Sequence, residues 1–176
     1  IFGILILIED LYNSLKYTLI IDMIDNVQIV CKYFKNLQNK ICKKVQDEES
    51  FLFLKDDWQR PEGGGGQSRI LENGLVFEKA GINFSDIYGS KLPPTANLNI
   101  KRSLYKDASF RAMGISLVFH PQNPHVPTCH MNLRYFTILK NSKSISSWFG
   151  GGYDLTPCYG YEEDNIHWHK TAKKAC

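Results

Sequence analysis

The distribution of hydrophobic positions predicts an amphipathic helix near the start of the chain. From Asp25 onward, apolar residues recur every three or four positions, which is the spacing of one stripe along a helix. Asp25 or Asn26 is suited to cap its first turn. We expect a helix that docks one face on the rest of the protein through Val27, Val30, Cys31, Phe34, Leu37 and Ile41.

Short apolar segments separated by turn residues predict strands after this helix. Residues 51–54 (FLFL) are the first candidate. Asn73-Gly74, between residues 69–72 and 75–79, is a strong signal for a β-hairpin with a tight turn. Residues 89–109 are polar, contain Pro93-Pro94, and are typical of a surface loop.

A run of four glycines, Gly63 to Gly66, follows Pro61. Glycine permits close approach of the backbone or unusual φ and ψ angles. No Gly-Lys-Ser/Thr follows the run and no helix opens after it, so the segment is not a phosphate-binding P-loop.

Residues 115–120 and 130–139 are predicted to be an antiparallel pair of strands, joined by a stiff loop with three prolines. Alternation places Ile115, Leu117 and Phe119 on one face. The opposite face would be polar and partly apolar, which is typical of either a binding pocket or a solvated surface. It carries Ser116, Val118, His120, His130, Asn132, Arg134 and Phe136, whereas Leu133 and Tyr135 point the other way.

Aromatic residues flank three glycines in the next segment, 148–157 (WFGGGYDLTP), which suggests backbone packed close to a flat group. Asp154 lies in this segment, and the pattern leaves open whether it is a turn residue or a functional carboxylate. Acidic residues 162–164, followed by lysines near the end of the segment, predict a helix, because charges of these signs at the two ends interact favourably with the helix dipole. On that helix His167 and His169 would point to opposite sides and could not bind the same metal ion.

Composition narrows the class of protein. The chain has 176 residues, 43% hydrophobic and 22% charged, which is enough for one domain with a real core. The net charge of +3 is too small to indicate nucleic-acid binding, although it suits a small polyanionic ligand. Five scattered cysteines without a CxxC pair argue against a disulfide framework and favour a reducing cytoplasm.

The N-terminal apolar run, residues 1–8, is too short to span a membrane and lacks the features of a signal peptide. The first methionine is Met23. We therefore expect residues 1–22 to be an extension outside the fold.

Five long motifs follow one another along the chain: GGGGQSRI, FEKAGINFS, AMGISLVFHPQNPHVPTCHMNLRYF, WFGGGYDLTP and EEDNIHWH. In this order, over roughly residues 24–176, they resemble oxygen-dependent coproporphyrinogen-III oxidase of the bacterial type. Ser147 and Gln67 depart from the usual family pattern. Family members continue for about as many residues again, so the resemblance implies that residues 23–176 are the N-terminal part of a single domain.

The resemblance implies an α+β fold with a large antiparallel sheet flanked by helices, here truncated, and a cytoplasmic homodimer. It implies conversion of coproporphyrinogen III to protoporphyrinogen IX, in which two propionates become vinyl groups with loss of CO2. O2 would accept the electrons and hydrogen peroxide would be the co-product. No organic cofactor is expected, and a divalent metal would not be essential.

The resemblance also implies roles for individual residues. His130, Asp154 and Arg134 would be catalytic, with His130 a proton donor and Asp154 an acceptor for pyrrole N–H groups. Arg134 would also bind substrate, together with Ser116, Asn132 and Leu133. His120, His130 and His169 match positions proposed as divalent-metal ligands, whereas His125 and His167 are expected to be structural or exposed.

Two other interpretations stay open. One is a tetrapyrrole-binding module without catalysis. The other is a metal-dependent enzyme built on the histidines, although the sequence contains no HExxH motif.

Overall fold

The computed structural model describes residues 27–49, 51–93, 105 and 107–175. Two helices and one six-stranded sheet make up this part of the chain, and each strand pairs antiparallel with its sequence neighbour. The predicted α+β class with an antiparallel sheet is confirmed. The elements are α1 (Val27–Glu48), β1 (Leu54–Gln59), β2 (Gly64–Glu72), β3 (Phe77–Gly89), β4 (Ser109–Pro121), β5 (Thr128–Lys140), β6 (Lys143–Thr156) and α2 (Glu162–Ala175).

Helix α1 covers one face of the sheet, as its apolar stripe predicts. Val30, Phe34, Leu37 and Ile41 are almost completely buried, and the stripe continues to Val45. The predicted capping residues, Asp25 and Asn26, lie outside the described residues, as do residues 1–22. The sheet side chains in the same core include Ile82, Phe84, Met113, Ile115, Leu117, Phe119, Met131 and Tyr135.

One polar side chain lies within this helix–sheet interface. Gln38 is 2% exposed, and its amide nitrogen donates to the backbone oxygens of Gln67 and Ile82, each at 2.8 Å. Buried amides are stable only when hydrogen-bonded. Gln38 therefore fixes where along β2 and β3 the helix rests.

The prediction of a strand at residues 51–54 is wrong. Strand β1 begins at Leu54 and runs through a polar segment to Gln59. It is an edge strand whose residues are mostly exposed, so its sequence lacks the apolar alternation that marks a half-buried strand. Asp57 accepts a hydrogen bond from Gln67, which, with Lys55 nearby, lowers the pKa of that carboxyl.

The glycine run turns the chain from β1 into β2. Gly63 and Gly64 have φ angles of 125° and 89°, in the region that favours glycine. A Cβ at Gly66 would come within 2.3 Å of the Phe84 oxygen and of the Trp58 ring. Both predicted uses of the run, unusual backbone angles and close approach, are present.

The hairpin predicted at Asn73-Gly74 joins β2 and β3, but its loop is longer than a two-residue turn. Residues 73–76 lie between the strands, and Asn73 has a φ of 57°. The carboxylate of Glu49, directly after α1, accepts hydrogen bonds from the backbone N–H groups of Leu75, Val76 and Phe77 at 2.6, 3.0 and 2.7 Å. Glu49 therefore joins the end of α1 to this loop.

Strands β4 and β5 form the predicted antiparallel pair, and both are longer than predicted. The loop predicted between residues 89 and 109 has the expected bounds, because β3 ends at residue 89 and β4 begins at residue 109. Residues 94–104 and 106 of that loop lie outside the described residues. Strands β5 and β6 are joined by a two-residue turn at Asn141 and Ser142, with φ angles of 52° and 62°. These angles are typical of the type I′ hairpin.

The segment 148–157 belongs mostly to β6, which makes the interpretation of Asp154 as a turn residue wrong. Helix α2 follows, with Glu162, Glu163 and Asp164 in its first turn as predicted. It packs through Trp168, whose ring lies 4.8 Å from that of Tyr153 in an edge geometry. His167 and His169 are exposed.

The four described cysteines are free thiols. Burial raises the pKa of Cys42 to about 11 and that of Cys129 to about 12, so neither carries a reactive thiolate near neutral pH. Among the described residues, no helix is long and apolar enough to cross a membrane.

The Glu49 contact predicts a large effect on stability. We expect Glu49→Ala to lower the free energy of unfolding by roughly 2–3 kcal/mol, because three backbone donors lose a charged acceptor. Urea denaturation of the natural full-length protein measures this, with the exposed neighbour Glu48→Ala as the control. Equal midpoints for the two variants would contradict the assignment.

Candidate active site

A large cleft lies over the face of the sheet that α1 leaves uncovered. Its volume is about 1340 Å³, larger than the roughly 300–1,000 Å³ of most small-molecule sites. Residues directly opposite one another on paired strands share a face. Across β4, β5 and β6 the register forms three rows on the cleft face: Val118, His130 and Asp154; Ser116, Asn132 and Gly152; and Gly114, Arg134 and Gly150.

His130 and Asp154 form a pair at one end of the cleft. The Nδ1 atom of His130 lies 2.7 Å from Oδ1 of Asp154. Since a carboxylate accepts hydrogen bonds, Nδ1 carries the proton and Nε2 is left to exchange one with a ligand. Asp154 Oδ2 has no hydrogen-bond partner in the described part of the chain. The pair can both orient an imidazole and accept a donor from a ligand.

Arg134 is exposed on the cleft face, and no carboxylate pairs with it among the described residues. Arg111, by contrast, lies on the helix side of the sheet and binds Asp86 through two hydrogen bonds of 2.7 and 2.6 Å. Those hydrogen bonds raise the pKa of Arg111. Arg111 is thus occupied by a structural ion pair, whereas Arg134 is available to hold a carboxylate in its planar fork.

Ser116 and Asn132 lie between the His130–Asp154 pair and Arg134, directly opposite each other on β4 and β5. Both side chains can donate and accept hydrogen bonds. Leu133, predicted as a substrate contact, has its side chain on the other face, packed against the core. Only its backbone borders the cleft.

At the floor of the cleft, glycines leave the backbone of β6 uncovered by side chains. A Cβ built at Gly150 or Gly152 meets no atom within 4 Å, so both positions open into the cleft. Gly151 faces the opposite way, where a Cβ would approach the Asn132 oxygen to 2.5 Å. The floor beside Asn132 and Arg134 therefore consists of backbone, on which a broad flat ligand can rest.

Three stacked aromatic rings continue the cleft beyond Arg134. The ring of Phe136 stacks on Phe110 at 5.5 Å and on Trp148 at 4.8 Å between centroids. The sequence pattern identified Phe136 and marked Trp148 as an aromatic residue beside the three glycines, but it identified neither Phe110 nor the contact between the rings. Their place follows from cross-strand register, which the period-two pattern of a single strand does not contain.

The three predicted metal-binding histidines do not lie close enough together to bind one metal ion. His120 and His130 have ring centroids 6.4 Å apart, and Nδ1 of His120 lies 3.3 Å from Oγ1 of Thr128. His169 is exposed on α2 and does not line the cleft. Within residues 27–49, 51–93, 105 and 107–175, no group of three His, Cys, Asp or Glu side chains could hold a metal ion. These residues therefore do not fit a three-histidine site.

His125 is exposed, as predicted, and lies outside the cleft. It is exposed in the β4–β5 loop, stacks on Tyr159 at 4.8 Å between centroids, and pairs through Nδ1 with the Tyr161 hydroxyl at 2.5 Å. These contacts join the loop to the segment before α2. His125 is a structural residue in this arrangement.

Most of the chain matches a known protein family. Residues 29–176 match the model of the family described as coproporphyrinogen III oxidase. The matched region includes both helices almost entirely, all six strands and every cleft residue named above.

The glycine floor predicts that neighbouring substitutions differ in their effect on folding. We expect Gly151→Ala to lower the free energy of unfolding by about 1–3 kcal/mol, because its methyl group would collide with backbone. Gly152→Ala should change it by less than about 0.5 kcal/mol, because its methyl group enters open space. Thermal and urea unfolding of both variants measure the difference. Equal destabilisation would show that position 152 is not open.

Proposed function

The chain belongs to the coproporphyrinogen III oxidase family, oxidoreductases of haem and porphyrin biosynthesis, and on that premise we propose the reaction of its cleft. The cleft binds coproporphyrinogen III and oxidatively decarboxylates two of its propionates to vinyl groups. The product is protoporphyrinogen IX, and O2 is the electron acceptor. One observation carries the proposal: a His–Asp pair and an arginine without an ion-pair partner among the described residues share one face of a large cleft.

The chemistry of the substrate matches the lining of the cleft. Coproporphyrinogen III has four carboxylates, apolar ring edges and central pyrrole N–H donors. Arg134 would hold one propionate in a bidentate hydrogen bond. The bare backbone at Gly150 and Gly152 and the ring of Phe136 would contact the macrocycle.

The balance of the reaction defines what the protein must add. At each propionate the bond to the carboxylate carbon breaks to release CO2. A C–H bond on the carbon next to the pyrrole also breaks, so the substrate loses two electrons and one proton. O2 takes up two electrons and two protons and becomes hydrogen peroxide. One further proton is therefore consumed for each vinyl group formed.

We propose that His130 supplies that proton. Asp154 holds its Nδ1, and an imidazole exchanges protons readily near neutral pH. Asp154 Oδ2 would accept a hydrogen bond from a pyrrole N–H and stabilise positive charge that develops on the ring. The electron-rich pyrrole is the source of electrons, so we propose that neither an organic cofactor nor an essential metal is required. A cytoplasmic homodimer is part of the same proposal.

Oxygen dependence is the direct test. The natural full-length protein is incubated with coproporphyrinogen III in metal-stripped buffer, with and without air, and the product is followed by its fluorescence after oxidation. We expect protoporphyrinogen IX only in air, with one O2 consumed for each CO2 released. Activity only after metal is added would favour a metal-dependent enzyme, and binding without product would favour a tetrapyrrole-binding protein.

The roles of the pair are tested by substitution. We expect His130→Ala to lower kcat about 10²- to 10⁴-fold, which is the usual contribution of a general acid or base. Asp154→Ala should also lower kcat, because it removes the carboxylate that orients the ring. Steady-state rates of the full-length protein measure both effects. His125→Ala, a histidine outside the cleft, is the control, and unchanged turnover in both site variants would refute the assigned roles.

A further inference from the structure

We propose that Arg60 is a second carboxylate-binding residue of the cleft, at the side opposite Arg134. The inference rests on the proposed function, because it assigns a position to a second propionate of the same substrate. No motif in the sequence singles out Arg60. Its place follows from the three-dimensional arrangement of β1, β2 and the cleft.

Arg60 lines the cleft although it is distant in sequence from the other lining residues. It directly follows β1, and its backbone N–H donates to the Gly64 oxygen at 2.9 Å. Gly64 pairs with Ile87, which pairs with Ala112, which pairs with Phe136. Arg60 therefore lies at the end of the sheet row that contains Phe136.

The orientation of β1 directs Arg60 toward the cleft. Trp58 pairs with Gly66, and its ring covers the position that a Gly66 Cβ would occupy. Gly66 pairs with Ser85, a residue that lines the cleft. Trp58 thus points to the cleft side, and strand alternation turns Arg60, two residues later, to the same side.

The guanidinium of Arg60 has donors left for a ligand. Its Nε lies 3.1 Å from Oε2 of Glu62, and both side chains are partly exposed. In the described part of the chain, the two terminal nitrogens have no other acceptor. Because a guanidinium has five N–H donors in a fixed fork, it can bind Glu62 through Nε and a carboxylate through its outer edge.

The spacing of the two arginines suits a substrate with carboxylates on opposite edges. Arg60 continues β1, which lies four strands from the β5 strand that carries Arg134, and Arg60 is one row further along the strands. The backbone positions are therefore roughly 20 Å apart, given about 4.8 Å between strands and 7 Å between successive side chains on one face. Ile87 and Ala112 lie between them and offer apolar contact to the body of the macrocycle.

The test measures binding separately from turnover. Coproporphyrin III, the oxidised form that is not decarboxylated, is titrated against the full-length protein by fluorescence, and KM is measured with coproporphyrinogen III. We expect Arg60→Gln to raise both Kd and KM at least about tenfold, with kcat changed by less than about twofold. Arg60→Lys, which keeps the charge but not the fork, should give an intermediate Kd.

Two controls separate a carboxylate contact from a loss of structure. Lys55→Gln removes the same charge from β1 on the opposite face and should bind like wild type, because Lys55 pairs with Asp57 and does not line the cleft. The tetramethyl ester of coproporphyrin III has no carboxylates, so wild type and Arg60→Gln should bind it equally. Glu62→Gln, which releases the Nε of Arg60, should bind the free acid at least as tightly as wild type.

The possible results distinguish this inference from the proposed function. An unchanged Kd for Arg60→Gln, or an equal loss of binding for the ester, would overturn the role of Arg60. A wild-type protein that binds coproporphyrin III without decarboxylating the porphyrinogen would overturn the proposed reaction. In that case the titration would still show whether Arg60 binds a carboxylate of the ligand. A wild-type protein that binds no coproporphyrin III would overturn both.

Discussion

The packing of α1 against one face of the sheet determines which side chains reach the cleft. Because side chains alternate along a strand, burial of Ile115, Leu117 and Phe119 under the helix places Ser116 and Val118 on the other side. Because paired residues on neighbouring strands share a face, the antiparallel register fixes the cleft side of the other strands as well. Gln38 and Glu49 fix the helix at its middle and its end, so the orientation of the whole cleft face depends on this one interface.

On the cleft face, side chains of different chemical character lie at different positions along the strands. The His130–Asp154 pair, the hydrogen-bonding side chains of Ser116 and Asn132, the cation of Arg134 and the ring of Phe136 follow one another in successive rows. A ligand that lies across these rows meets the His130–Asp154 pair at one end and apolar rings at the other. Because the rows belong to a regular sheet, their spacing is set by backbone geometry and does not depend on loop conformation.

Side-chain alternation allowed much of the site to be predicted from sequence. In β4 and β5 it placed Ser116, His130, Asn132 and Arg134 on one face. It failed for β1, because an exposed edge strand has no apolar alternation, and for the 73–76 loop, because the Glu49 carboxylate that binds it is distant in sequence. Phe110, Arg60 and the stacking of Trp148 on Phe136 were missed for a related reason, since they depend on pairing between strands.

The short turn at Asn141 and Ser142, together with one extra residue of β6 at Ile145, determines which face of β6 meets the cleft. Both turn residues hold positive φ angles, and pairing starts at once between Lys140 and Lys143, with a single register shift before Ile138 pairs with Ser146. If that turn gained or lost one residue and the pairing shifted with it, Phe149, Gly151 and Tyr153 would replace Trp148, Gly150 and Gly152 on the cleft side. Asp154 would then face the core, away from His130. Across related sequences, the length of this turn should therefore vary far less than its residue types.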